Sequence, residues 1–438
     1  MAGGTWVVQD KKLPGFYTKS ETEGNSSITL GERGIVTFPM ELPWGAEKQL
    51  ITLTAGEDTT SKLGYSILDP EMLPIREAYK EASTTIVYRT NVGVKASATL
   101  GTRTFTAKHS GELGNSISIV IENSVDDPEN FTVITLLNGA VVDRQTVTEL
   151  GQPTANDYVE FGGTGELTST AALPLTGGTN GTSTNQDHVD YTNAIQVIPF
   201  NTIALSTEDA TLKSFYVSYV KRMIEDEGKK VQVAMNNYPT ADYEGVISVK
   251  NGVVLSDGTV VDSKKSVYWT AAATAGAQIN EALTYRAYPD AVDTDIKYTR
   301  TELEQAVDKG EFVFIPFKDG AVVQYDINTF TSFTPKKDKR YSKNRVLRVL
   351  NGSDNDLKQI FEEFYVGKAD NHPDGRNLLK GEYIKYFRTL EGIGAIQNFN
   401  PQTDIVISQG TDTDAVYVDR AIQPVDSIDK IYEKVKVK

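Results

Sequence analysis

The spacing of apolar residues changes near residue 188, and this change constrains the fold more than any other feature of the sequence. Between about 96 and 184 the chain is rich in Thr, Ser, Gly, Val and Ile, and apolar residues alternate with polar ones, as at Ile117, Ile119 and Ile121. This alternation predicts strands with one buried face. From about 188 onward, strand-like and helix-like segments alternate instead, which favours a parallel sheet. A chain of 438 residues with both patterns is expected to form several domains, since one domain takes ~150 residues.

The alternating region is predicted to be an all-β domain inserted into a mixed α/β chain. Within it, Asn138-Gly139 separates two apolar runs, and this pair is a strong signal for a two-residue hairpin because both turn positions need a positive φ. The region ends with the sequence LPLTGGTNGTSTN, residues 173–185, which is predicted to be a flexible linker.

A strand-helix-strand unit is predicted over residues 201–235. Apolar residues from Leu212 to Ile224 fall on one face of a helix that lies between two strand segments. Ser206 is the expected N-cap of this helix, and the unit favours a parallel strand pair with a right-handed crossover. Farther along, we predict hairpins at Asn251-Gly252, Asp257-Gly258 and Asp319-Gly320, an Ala-rich helix at 263–277, and a helix opened by a capping box at residues 301–304.

The two ends of the chain look like extended arms. The first 20 residues have no helical period, and at the other end Val435 and Val437 alternate with lysines, which predicts a final strand with one apolar face. Such segments must pair with a sheet or stay frayed. The partner could be the chain's own sheet or, by strand addition, a neighbouring copy.

We therefore expect a multidomain protein of the α+β or α/β class. Its predicted units are an N-terminal arm (1–20), a mixed α/β domain (21–95), an inserted all-β domain of sandwich or barrel type (96–186), an α/β core domain (187–335), a mixed C-terminal domain (336–427) and a C-terminal strand arm (428–438).

Composition excludes several functional classes. The chain has no Cys and only three His, which excludes disulfides, thiolate metal sites, cysteine nucleophiles and His-rich metal clusters. Its net charge of −15 opposes binding to nucleic acid and to anionic membranes. No signal peptide or membrane span is apparent. No motif points to a catalytic residue, a cofactor or a metal site, and we expect no nucleic-acid partner and no membrane contact.

One basic cluster interrupts this acidic chain. It consists of Lys336, Lys337, Lys339, Arg340, Lys343, Arg345 and Arg348. Few aromatic residues accompany it, so a solvated helix start or a contact with another protein is favoured over phosphate binding.

Two functions stay open at this point. A nucleotide-dependent α/β enzyme could use residues 201–235, but the sequence after the first strand is Ser206-Thr207-Glu208-Asp209, with no glycine turn and with two acidic residues that would repel phosphate. A β-rich surface adhesin would fit the Thr- and Gly-rich insertion, but no secretion signal is apparent.

Motifs along nearly the whole chain resemble those of contractile phage tail sheath proteins, including those of phage-tail-like bacteriocins, and most closely those of Gram-positive hosts. They are MAGGTW with PGFY near the N-terminus, KHSGELGNSISI (108–119), LPLTGGTNG (173–181), ALTYRAY (282–288), GEFVF (310–314), YDINTFTSFT (325–334), YSKNRVLRVLN (341–351), NHPDGRNLL (371–379), GAIQNF (394–399) and VYVDRAIQPVDSIDKIY (416–432).

The resemblance implies a structural polymer in a virion tail or tail-like particle, assembled in the host cytoplasm. Stacked hexameric rings would surround a tail tube and contract to drive it through a bacterial envelope. The implied partners are further copies of the chain, the tail tube protein, and the baseplate and tail terminator proteins. The implied inter-subunit linker residues are Thr5, Trp6, Val7 and Val8 in one arm and Ile431, Tyr432, Val435 and Val437 in the other. The basic cluster is a candidate surface for an acidic tube.

Overall fold

The computed structural model describes residues 33–124 and 130–437 in full, and residues 2–5 and 15–18 as backbone. The first elements are β1 (Ala2–Thr5), β2 (Gly15–Thr18), β3 (Ile35–Met40), β4 (Leu50–Thr54), α1 (Thr60–Leu63), α2 (Leu73–Tyr79) and β5 (Thr84–Arg89). The next seven strands are β6 (Ser97–Leu100), β7 (Arg103–Ala107), β8 (Ile117–Asn123), β9 (Asn130–Leu137), β10 (Ala140–Thr148), β11 (Val159–Gly163) and β12 (Thr170–Pro174).

The second half of the chain contains the longer helices. Its first elements are α3 (Asn185–Gln196), β13 (Thr202–Leu205), α4 (Ala210–Glu225), β14 (Gln232–Asn236), β15 (Val246–Val249), β16 (Val253–Leu255), β17 (Val260–Val261) and α5 (Ser263–Gly276). They are followed by β18 (Ala291–Thr294), α6 (Arg300–Asp308), β19 (Glu311–Phe312), β20 (Phe314–Phe317), β21 (Gly320–Val323), α7 (Asn344–Phe364), α8 (Pro373–Gly392), β22 (Ile405–Gln409) and β23 (Val416–Arg420). Short 3-10 helices lie at Pro70–Met72, Glu112–Ser116, Pro239–Ala241 and Lys339–Ser342.

A seven-stranded sheet is built from two distant parts of the chain. Its strand order is β19-β15-β14-β13-β3-β5-β4, and only β4 runs antiparallel to its neighbour. At the centre, β3 pairs in parallel with β13, with Val36 opposite Thr202. The predicted parallel pair β13-α4-β14 is confirmed. The chain leaves this sheet after β5 and returns to it at β13, and strands β6 to β12 between them form an insertion.

The sheet is covered on both faces. Helices α2 and α5 belong to one apolar cluster, in which the fully buried Trp269 stacks on Tyr288 with ring centroids 4.5 Å apart. Side chains of α3 and α4 form the cluster on the other face. Helix α4 begins after Asp209, whose carboxylate accepts from the backbone N–H groups of Thr211 and Leu212. The predicted cap at Ser206 was therefore wrong by one turn.

The inserted β-sandwich consists of the sheets β10-β9-β8-β12 and β11-β7-β6 around a shared apolar core. The predicted hairpin at Asn138-Gly139 is confirmed, with φ values of 51° and 80°. The predicted flexible linker is wrong. Its backbone is pinned to the outgoing strand, since Val94 and Thr179 exchange N–H···O bonds and the N–H of Thr176 donates to the carbonyl of Ser97.

Two of the other predicted hairpins are confirmed, whereas the third predicted hairpin and the position of the capping box are wrong. Hairpins form at Asp257-Gly258, between β16 and β17, and beside Asp319-Gly320, between β20 and β21. Asn251 instead is fully buried, and its side chain bonds the backbone N–H and carbonyl of Phe314. The capping box lies two residues earlier than predicted, between Thr299 and Glu302.

The C-terminal domain packs α7, α8 and the antiparallel hairpin β22-β23 around one core that includes Tyr386, Phe387, Leu390 and Ile405. No helix within the described ranges has the length and apolar character needed to cross a membrane.

The pinned return segment gives a testable prediction. Gly177 and Gly181 both have positive φ values, 84° and 67°, but only at Gly181 would a Cβ meet backbone, 2.0 Å from the carbonyl oxygen of Val92. We expect Gly177→Ala to lower the free energy of unfolding by about 1 kcal/mol, from backbone strain alone. Gly181→Ala should lower it by at least about 3 kcal/mol, because two chain segments must separate.

Urea unfolding followed by tryptophan fluorescence measures both variants, since Trp44 lies in the sandwich core. Equal effects of the two substitutions would contradict the close packing of the two connections.

Candidate functional site

The hairpin β22-β23 has two open edges. Asp404 and Ala421 are bonded across its base, and Gly410 and Ala415 across its tip. Because hydrogen-bonded pairs alternate in an antiparallel ladder, the backbone groups of the intervening pairs point away from the partner strand. These are Ile405, Ile407 and Gln409 on β22, and Val416, Val418 and Arg420 on β23. Within the described chain, no hydrogen bond from outside the hairpin reaches the backbone of these six residues.

One face of this hairpin holds it against the C-terminal domain. Ile405 is fully buried, and Ile407 and Val418 pack against the same core. On the opposite face, Val406 is 51% and Tyr417 60% exposed. The hairpin is thus anchored on one face, while both its edges are free to accept another strand.

The C-terminal arm leaves its apolar side chains in solvent. Ile431 is 85%, Tyr432 91%, Val435 74% and Val437 95% exposed. Residues 425–437 form neither helix nor strand. The predicted final strand is therefore absent from the single chain, which leaves pairing with another copy as a prediction. At the other end, Thr5 closes β1, which pairs in parallel with β2, whereas Trp6, Val7 and Val8 lie outside the described residues.

The structure disperses the predicted basic cluster. Arg348 is only 3% exposed and faces Asp326, so it cannot belong to a surface patch, and Lys337 pairs with Glu244. Lys343 and Arg345 contact the segment that leads to the C-terminal arm. Arg340 pairs with the neighbouring Asp338. Two lysines, Lys336 and Lys339, are exposed and have no ion pair among the described residues.

The sequence pattern predicts short strands at residues 405–407 and 416–418, and both are confirmed, but it does not predict which backbone groups point outward. The hydrogen-bonding register separates inward from outward backbone groups, and it depends on the turn length between residues 410 and 415. That turn carries no two-residue hairpin signal, since its sequence is GTDTDA. The alternation of Ile405 and Ile407 was the signal that could have assigned the anchored face.

A nucleotide site is not supported at the carboxyl end of the central sheet. A crevice of about 740 Å³ opens there, and its walls include Glu41, Glu71 and Asp257 besides Arg76 and Lys265. Three carboxylates oppose binding of a phosphate. In the parts of the chain that the structure describes, no group of three or more His, Cys, Asp or Glu could hold a metal ion.

Four family profiles match in order: the tail sheath protein Gp18 domain III N-terminal region (residues 33–90), the phage tail sheath β-sandwich domain (91–180), its central domain (181–329) and its C-terminal domain (336–438). The protein XkdK of the phage-like element PBSX in Bacillus subtilis (strain 168) is 37% identical over the whole of both chains.

Solved structures give the same result. The sheath tail protein from Desulfitobacterium hafniense is 49% identical, with a TM-score of 0.87 over 96% of this chain and all of that one. The helical sheath of the anti-feeding prophage in its contracted state has a TM-score of 0.59 over 98% of this chain and all of that one, and at 11% identity this likeness concerns the fold alone. With sheath profiles along nearly all of its length and a full-length relative of this identity, the chain belongs to the phage tail sheath protein family.

Proposed function

We propose that this sheath subunit polymerises as stacked hexameric rings around a tail tube, and that contraction of the polymer drives the tube through a bacterial envelope. As a tail sheath protein, the chain is a structural component of a virion tail or a tail-like particle, not an enzyme. The observation that carries the proposal is the combination, in one chain, of a hairpin with two open edges and an arm whose apolar side chains have no cover.

The arms are proposed to link neighbouring subunits by strand addition. Residues Ile431, Tyr432, Val435 and Val437 would extend the hairpin of another copy, and Thr5, Trp6, Val7 and Val8 would do so from the N-terminal end. Main-chain hydrogen bonds would supply affinity, and alternate side chains would set the register. At about 1 kcal/mol per hydrogen bond, a five-residue strand contributes only a few kcal/mol. Such links become strong when they are repeated throughout a polymer.

Contraction is proposed to be a rigid-body rearrangement. The described parts of the chain contain four apolar clusters, and residues 428–437 of the C-terminal arm lie outside all of them. Subunits can therefore rotate about their arms without repacking an interior, and the free energy comes from new contacts between subunits.

The proposed partners are further copies of the chain, the tail tube protein, and the baseplate and tail terminator proteins, with assembly in the host cytoplasm. Nucleic acid and membranes are not among them, in keeping with the net charge of −15. Lys336 and Lys339 are the proposed contacts to an acidic tube, since they are the members of the basic cluster that stay exposed and unpaired among the described residues.

Removal of residues 428–438 tests the role of the arm. We expect a folded monomer that forms no tubes in negative-stain electron microscopy, because these residues contribute little to the chain's own cores. The loss of Asp429 leaves Lys343 paired with Asp426, so the unfolding temperature should fall only slightly. A full-length variant with Ser at positions 431, 432, 435 and 437 is the control for chain length, and it should also fail to polymerise. Tubes formed by the truncated protein would refute the link.

The hairpin edge can be blocked without breaking the hairpin. The N–H of Val416 points away from β22, so Val416→Pro removes an outward donor and leaves the bonds within the hairpin intact. We expect the critical concentration for assembly to rise at least about fivefold, which corresponds to the loss of one hydrogen bond per link. Val416→Thr keeps the N–H and should assemble normally. Sedimentation over a concentration series measures both, and equal behaviour of the two variants would exclude this edge.

Charge reversal at Lys336 and Lys339 tests the tube contact. The double variant Lys336→Glu, Lys339→Glu should bind purified tubes less tightly, and the difference should shrink at high salt, because exposed charges are screened. Self-assembly without tube is the control and should not change. Unaltered tube binding at low salt would eliminate this surface.

A further inference from the structure

The chain leading to the C-terminal arm is held by two basic side chains at the start of α7. The Nζ atom of Lys343 donates to Asp426 and Asp429, at 2.5 and 2.7 Å from their Oδ2 atoms. Arg345 donates through Nε to the carbonyl of Val425 at 2.8 Å and also to the carbonyl of Asn280. We call residues 425–429 the arm root. These contacts tie the arm root to its own C-terminal domain.

The ion pairs of the arm root are largely shielded from water. The side chain of Lys343 is 17% and that of Asp429 9% exposed, whereas Asp426 is more open at 39%. Burial alone would lower the pKa of Lys343, but its hydrogen bonds to Asp426 and Asp429 outweigh burial and raise that pKa. The ammonium therefore stays charged, and its pairs are screened less by salt than pairs on the surface.

Backbone contacts end at the same place. The N–H of Val425 donates to the carbonyl of Ala395 at 2.9 Å, and the hydroxyl of Ser427 donates to Asp429 at 2.7 Å. Beyond Asp429, no hydrogen bond or ion pair involves residues 430–437 among the described parts of the chain. The transition from held to free chain thus falls between residues 429 and 430.

We propose that Lys343 is a positioning residue that fixes the arm root and makes residue 430 the hinge of the C-terminal arm. The inference deepens the proposed function, since it rests on the arm linking subunits. With the arm root fixed, residues 430–438 reach at most ~30 Å. If the arm root were released, the free chain would begin after the Ile396–Pro424 bridge and reach ~45 Å.

A shorter tether has a consequence for assembly. It limits the number of neighbours that an arm can reach, and it raises the effective concentration of the arm at the hairpin it does reach. Lys343 therefore contributes to selecting the correct neighbour, although it belongs to neither strand-forming segment.

Hydrogen exchange of the full-length monomer, read at single-residue resolution, tests the hinge. In the unmodified protein we expect the amide of Val425 to be protected and those of residues 430–437 to exchange as in an unfolded chain. Lys343→Ala should lower the protection of Val425 about tenfold through local opening. Lys343→Arg should restore most of it, because a guanidinium can also donate to two carboxylates.

Two controls separate this effect from general destabilisation. Lys309→Ala removes an exposed lysine that has no part in the proposed contacts, and it should leave Val425 unchanged. The amides of Leu390 and its neighbours in α8 should stay protected in all variants. Unchanged protection of Val425 in Lys343→Ala would overturn the proposal, and so would protection of residues 430–437 in the unmodified protein.

Electron microscopy of the same variants distinguishes the proposed linking of subunits by the arm from the proposed role of Lys343 in fixing the arm root. If hydrogen exchange follows the expectation but neither the unmodified protein nor any variant forms tubes, the role of Lys343 in holding the arm root is supported and the linking of subunits by the arm is not. If tubes form but the exchange protection of Val425 is the same in Lys343→Ala as in the unmodified protein, the linking of subunits by the arm is supported and the proposed role of Lys343 is overturned. If both hold, Lys343→Ala should give shorter or irregular tubes, and Lys343→Arg regular ones.

Discussion

Backbone donors and acceptors along both edges of the C-terminal hairpin have no partner in the described chain, and the proposed assembly depends on them. Open edges invite pairing with any extended chain, and most proteins block them with charge, bulges or cover. Here the edges are short, anchored on one face by Ile405, and placed in the same polypeptide as an arm rich in exposed apolar residues. If the arm of one copy pairs with the edge of the next, as proposed, the contact is head-to-tail, and repeated contacts of this kind generate rings or helical filaments.

The rest of the fold is held together by pairing between distant segments of the chain. The seven-stranded sheet unites residues 35–89 with residues 202–312 through the pairing of β3 and β13. The sandwich leaves and re-enters at adjacent points, where Val94 and Thr179 bond each other, so a large insertion does not disturb the sheet. Lys343 and Arg345 then tie the arm root to the domain that bears the hairpin.

Local sequence patterns were largely sufficient to predict the helices, strands and turns. The positive φ needed at Asn138-Gly139, the apolar stripe of α4 and the strands of the C-terminal hairpin all follow from local patterns. Predictions were wrong where contacts with distant chain segments determine the local structure. Asn251 bonds Phe314, which lies 63 residues away, and the Gly-rich return segment is held by Val94. The basic cluster does not form one continuous surface, because α7 turns Arg348 inward toward Asp326. The partner of the arm could not be predicted from residue patterns, since such pairing would lie between molecules.

Cysteine cross-linking can identify the hairpin with which an arm pairs, because the chain has no cysteine of its own. One chain would carry Tyr417→Cys on the exposed face of the hairpin together with a single cysteine scanned through residues 431–437 of the arm. If arms add to the hairpins of neighbours, oxidation of assembled tubes at the correct register must give a ladder of covalent multimers on a non-reducing gel. A cross-linked monomer band at every position would mean that the arm pairs with its own hairpin, and would contradict the account.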